Sequence, residues 1–116
     1  LETASGRLLL AHLKENVLAH FFASNQHFLG SSKQVQKKLQ QQLARERRNT
    51  FLIAESDITV GVKDVSVLIA PTDSDINASL TIPLLVFKGK ERSLETILKA
   101  LQKTANHINQ RLELNT

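Results

Sequence analysis

The hydrophobic period of this chain changes twice, and those two changes constrain its fold more than any other feature. As far as Asn49 the apolar residues recur at spacings of three and four. From Thr50 to Phe87 they alternate, and from Ser93 the longer period returns. Side chains repeat every 3.6 residues on a helix and every two on a strand, so the chain reads as helices, then strands, then a helix. Helices segregated from a run of strands make an α+β domain. The expected architecture is two N-terminal helices, a three- to four-stranded antiparallel sheet, and a C-terminal amphipathic helix packed on one face of the sheet.

Residues 3–23 are predicted as one helix, with Thr3 or Ser5 as cap. Leu9, Leu10, Leu13, Val17, Leu18, Phe21 and Phe22 form an apolar arc too broad for one-sided packing. Either the rest of the domain wraps this helix or a second chain does. "SNQHFLGSS" (24–32) is the connector, and Ser31 with Gln34 has the spacing of a capping box for a second helix ending at Asn49. On that helix Val35, Leu39 and Leu43 form a narrow stripe.

The strand candidates are "TFLIA" (50–54), "ITVGV" (58–62), "VSVLIA" (65–70) and "ASLTIPLLVF" (78–87), all rich in β-branched or alternating apolar residues. Pro83 has no N–H to donate, so its strand is expected to be an edge there or to be broken by a bulge. "PTDSDIN" (71–77) is a turn-forming loop. "KGKER" (88–92) is a basic turn leading to Ser93, the expected cap of the last helix. There Leu94, Ile97, Leu98, Leu101, Ala105, Ile108 and Leu112 fall in a narrow arc.

With 116 residues the chain is read as a single domain over 1–116, or one excised from something longer, since it opens at Leu1 and contains no methionine. It has no cysteine, which excludes disulfides and thiolate metal sites and fits a cytoplasmic protein. No apolar run approaches the roughly 20 residues needed to span a bilayer.

Searching for chemistry yields little. Asp73, Asp75 and Asn77 alternate like the opening of a calcium loop, but Ala78 and Leu84 stand where that loop needs glycine and glutamate. His12 and His20 lie eight residues apart, about 12 Å along a helix, too far to share a metal. Glycine-rich phosphate loops, nucleophile elbows and metalloprotease helices are all missing. No catalytic residue, metal site or cofactor is expected, and the protein is read as not an enzyme.

Charge layout is more informative. The net charge is +4, and residues 31–49 hold six cations against Glu46. The turn at 88–92 adds Lys88, Lys90 and Arg92, whereas acidic residues concentrate in the other strand loops. Such polarity suits a phosphate-backbone binder, although the chain has no Tyr or Trp to stack on bases. The leading expectation is a non-catalytic module binding RNA or another nucleic acid through Lys37, Lys38, Arg45, Arg48, Lys88, Lys90 and Arg92. The alternative is an oligomerising interaction or regulatory domain. In it Leu10, Leu13, Val17, Phe21 and Phe22 supply a self-complementary surface for a homo-oligomer or a larger protein assembly, and the basic face only solubilises.

Three stretches, "VQKKLQQQLARE", "VKDVSVLIAP" and "LETILKALQKTANHINQRL", make residues 35–112 resemble ribosome-binding factor A, a small KH-like family that assists small-subunit maturation. The resemblance implies a non-catalytic RNA-binding role. It departs at Ala105-Asn106-His107, where the family has an Ala-x-Gly kink, and the family's final strand has no counterpart after Leu114. The first 30 residues lie outside it.

Overall fold

A computed structural model describes residues 3–56, 58–71, 77–85 and 92–114, with the backbone alone for Arg92, Ser93 and Leu114. Four helices come first: α1 (Ala4–Ala11), α2 (Glu15–Ser24), α3 (Gln26–Leu29) and α4 (Lys33–Glu46). A meander of β1 (Phe51–Glu55), β2 (Val62–Ile69) and β3 (Ala78–Leu85) follows, and α5 (Arg92–Leu114) closes the order. The sheet is antiparallel in the order β1-β2-β3. This is the expected α+β architecture.

Alternation along the strands builds two different faces. On one, Val65, Val67 and Ile69 of β2 stand beside Phe51 and Ile53 of β1 and Ala78 and Leu80 of β3. The arc of α5 packs here, so Leu101 and Ala105 are buried against the three β2 residues, flanked by Leu94, Ile97, Leu98, Ile108 and Leu112. A fully buried side chain such as Leu101 contributes about 1.5–3 kcal/mol by leaving water, and the half-buried ones contribute less. The other face presents Ser66 and Leu68, both buried. On this side α1 contacts all three strands and buries Ala4, Leu8, Leu10 and Ala11. Beyond it lies α4, joined to α1 through Leu10, Ala11 and Leu43.

Four sequence expectations need correction. The helix over 3–23 is broken after Ala11. His12 leaves helical geometry at φ −104° and ψ 10°, and the chain restarts at Glu15. The ring Nε2 of His12 lies 2.7 Å from the Asn49 carbonyl, and its own carbonyl accepts from the Asn77 amide at 3.3 Å. Contacts from 37 and 65 residues away thus hold the break, outside the reach of local periodicity.

The expected strand over 58–62 is mostly the β1–β2 connection. There the Ser56 hydroxyl accepts from the N–H groups of Ile58 and Thr59, both at 3.2 Å, and Gly61 turns the chain at φ 82°. Only Val62 belongs to β2. The connector 24–32 contains a turn of helix, α3, whose cap is Asn25, and α4 is capped by Ser32 rather than Ser31. Pro83 sits on an edge strand opposite Asp64, where a missing donor costs little. Residues 72–76 of the expected loop over 71–77, Asp73 and Asp75 among them, lie outside the described residues.

Candidate ligand-binding cavities

Two concavities flank the core. The first, about 280 Å³, lies between α5 and the end of the sheet where β1 begins and β2 ends. Thr50, Val67, Leu68, Ala70, Gln102, Ala105, Asn106 and Asn109 line it, a mixture of apolar and amide-bearing residues. The Oδ1 of Asn109 is buried and has no hydrogen-bond partner. Gln102, Asn106 and Asn109 recur at helical spacing beside the apolar arc of α5. In the sequence they look like an ordinary polar flank.

The second, about 470 Å³, is a groove between α1–α2 and α4. Ala11, Leu18, Phe22 and Leu43 form an apolar floor, with Glu15 and Arg47 at opposite charges on its rim. Phe22 is braced against Phe28 at 4.5 Å between ring centroids and against Phe21 at 5.6 Å.

Buried polar contacts key α1 to its surroundings. Arg7 forms an ion pair with Glu46 at the end of α4. Beneath the helix layer Ser66 and Thr81, directly paired across β2 and β3, bring their hydroxyls to 2.7 Å. Neither pair was foreseen, because each depends on a register or crossing that only the folded chain creates.

The residues expected to grip nucleic acid do not assemble into one described site. Lys37, Lys38 and Arg45 are exposed on α4, and Arg48 is exposed just past it. Lys88 and Lys90 lie outside the described residues, as does the Arg92 side chain. The expected oligomer surface is divided. Leu10 is buried within the chain against Leu43, and Leu13, Phe21 and Phe22 are half-buried around them. Val17 is exposed. Among the described residues no group of three or more His, Asp or Glu side chains is placed to hold a metal. Nor is any described helix long and apolar enough to cross a membrane.

A sequence model of the C-terminal domain of the bacterial transcriptional regulator IclR matches residues 1–110. The chain belongs to that family. Its IclR-type match takes in the first 30 residues and overturns both the resemblance to ribosome-binding factor A and the RNA-binding expectation. Amphipathic helices of similar period misled the sequence comparison, since many unrelated domains share that pattern. The basic stripe of α4 is the solvated side of a helix whose other side carries Leu39 and Leu43.

Solved structures share the IclR-type fold. The inducer-binding domain of the transcription factor PobR from Acinetobacter, a double mutant in complex with 3-hydroxybenzoic acid, has a TM-score of 0.69 at 16% identity, over 93% of this chain and 63% of that one. A protein from Rhodococcus sp. RHA1 regarded as a transcriptional regulator gives a TM-score of 0.75 at 19% identity, over 99% and 48%. The repressor BlcR from Agobacterium tumefaciens gives 0.68 at 21%, over 96% and 46%. The chain thus spans about half to two-thirds of these structures' length. No curated protein sequence matches it.

Proposed function

We propose that this chain is the ligand-binding, regulatory part of a bacterial transcriptional regulator, working in the cytoplasm as an oligomer and not as an enzyme. The observation carrying this reading is the IclR C-terminal match over residues 1–110. PobR's inducer-binding domain holds a small aromatic acid, which supports a small organic effector here as well. The two concavities offer room for one.

Supporting the regulatory reading, α1 touches every strand and is bonded to α4 through Arg7 and Glu46. A ligand that prefers one setting of α1 on the sheet would also bias the position of α4. An effector shifts such an equilibrium only by its difference in affinity for the two settings. Oligomerisation is supported by α2, in which Val17, Leu18, Phe21 and Phe22 accompany two alanines yet no residue is fully buried.

The test is a stability screen of the protein against small organic acids and their amides, beginning with 3-hydroxybenzoic acid. A true effector stabilises saturably, by about 2.7 kcal/mol at a hundred times its dissociation constant. A screen in which nothing stabilises the protein, and nothing alters DNA binding by the whole regulator, overturns the proposal.

A further inference from the structure

We propose that the groove between α1–α2 and α4 binds a small zwitterion with an apolar body, such as an α-amino acid with an aliphatic side chain, its ammonium facing Glu15 and its carboxylate facing Arg47. The inference rests on the ligand-binding reading above and adds to it a place and a ligand class.

Two matching helix faces build the groove. Glu15, Leu18, Ala19 and Phe22 line it from α2, spaced i, i+3, i+4, i+7 along one side of that helix. The same spacing recurs in Gln40, Leu43, Ala44 and Arg47 of α4 and its C-cap. Both charges stand at one end. Glu15 follows His12 by three residues, Arg47 precedes Asn49 by two, and the 2.7 Å contact of the His12 ring with the Asn49 carbonyl holds those segments together. Leu18 and Phe22 are half-buried while Ala19 and Ala44 are exposed, so a ligand can touch all four. Ala11 and Leu43 are closed into the core beneath. At about 470 Å³ the space lies within the range of small-molecule pockets, about 300–1,000 Å³.

Charge selects the ligand. Among the described residues the side chains of Glu15 and Arg47 form no ion pair, with each other or with a third group. A lone carboxylate attracted by Arg47 is repelled by Glu15, and a lone ammonium meets the reverse. A neutral molecule answers neither charge. A zwitterion answers both, and because Glu15 and Arg47 are exposed its head stays in reach of water and loses little hydration. Its apolar body meanwhile leaves water against Leu18, Phe22 and the two alanines. Arg47 directly follows Glu46, the partner of Arg7, so a ligand held there bears on the junction of α1 and α4.

L-Leucine, isopentylamine and isocaproate share one apolar body and differ in their charged groups. Each is titrated into ¹⁵N-labelled protein while amide resonances are followed. Expected are saturable shifts at Leu18, Ala19, Phe22 and Ala44 with leucine, and about three- to fivefold weaker binding of either analogue, the scale of an ion pair that water still reaches. Arg47→Gln should weaken leucine by the same factor and isopentylamine not at all. Glu15→Gln should weaken leucine likewise and spare isocaproate. Both residues are exposed, so neither change should move the denaturation midpoint. The proposal is overturned if either analogue binds as tightly as leucine, if either variant binds leucine unchanged, or if no saturable shift appears at these residues. A saturable response to another compound at Gln102 or Asn106 alone overturns this placement and leaves the regulatory reading intact. Failure of these three compounds and of every acid and amide in the wider screen overturns both.

Discussion

Arg7 and Glu46, 39 residues apart, form an ion pair that ties α1 to the C-terminal end of α4, with side chains only 21% and 11% exposed. It joins the layer lying on the sheet to the helix outside it. Removing one partner leaves the other charge in a site poor in water. Hydrogen bonds to charged groups contribute about 1.5–3 kcal/mol, so Glu46→Ala should destabilise by about that much. The double variant with Arg7→Ala should cost clearly less than the sum of the singles in urea titrations.

Leu101 is 5% exposed and packs among Val65, Val67 and Ile69. Leu101→Ala should lower stability by about 2–5 kcal/mol, through lost burial and the cavity left behind. An unchanged denaturation midpoint would mean that α5 does not hold the sheet.

Ser66 is fully buried and shares a 2.7 Å hydrogen bond with Thr81. Ser66→Ala should cost about 0.5–1.5 kcal/mol. Adding Thr81→Val, which removes the orphaned hydroxyl while keeping its shape, should recover part of that loss. A double variant less stable than the sum of the singles would contradict the pairing.

Gly61 has φ 82°, a region that L side chains rarely adopt, although a Cβ there would meet nothing within 4 Å. Gly61→Ala should therefore destabilise through backbone strain alone, by about 1 kcal/mol or somewhat more. Thermal denaturation checks this, and a raised midpoint would refute it.

The proposed self-association is best probed at Val17, which is 44% exposed, because Phe21 and Phe22 also serve the interior cluster. Val17→Glu should lower the mass seen by sedimentation without moving the denaturation midpoint of the monomer by more than about 0.5 kcal/mol. A monomeric parent protein at high micromolar concentration would exclude association through α2.

The alternation of Val65, Val67 and Ile69 and the arc from Leu94 to Leu112 were legible directly, because both report burial against whatever lies on one side of an element. From those patterns alone followed an antiparallel sheet of three or four strands, the helix upon it and the central place of Leu101, whereas the order β1-β2-β3 came from the fold. The same reasoning mistook "ITVGV" for a strand, since three alternating residues carry no sign of the Ser56 hydroxyl that turns the chain. It also ran one helix through His12, where periodicity continues but Asn49 and Asn77 interrupt it from across the fold. Site and partner were still less legible. Lys37 and Arg45 are prominent in the sequence because charge is a property of residues. The unpartnered oxygen of Asn109 and the space beside Ala105 are properties of an arrangement. Local periodicity thus determined which elements form and which side each buries. Which groups meet, and where room is left between them, the tertiary structure alone decided, because those contacts join residues that the chain keeps far apart.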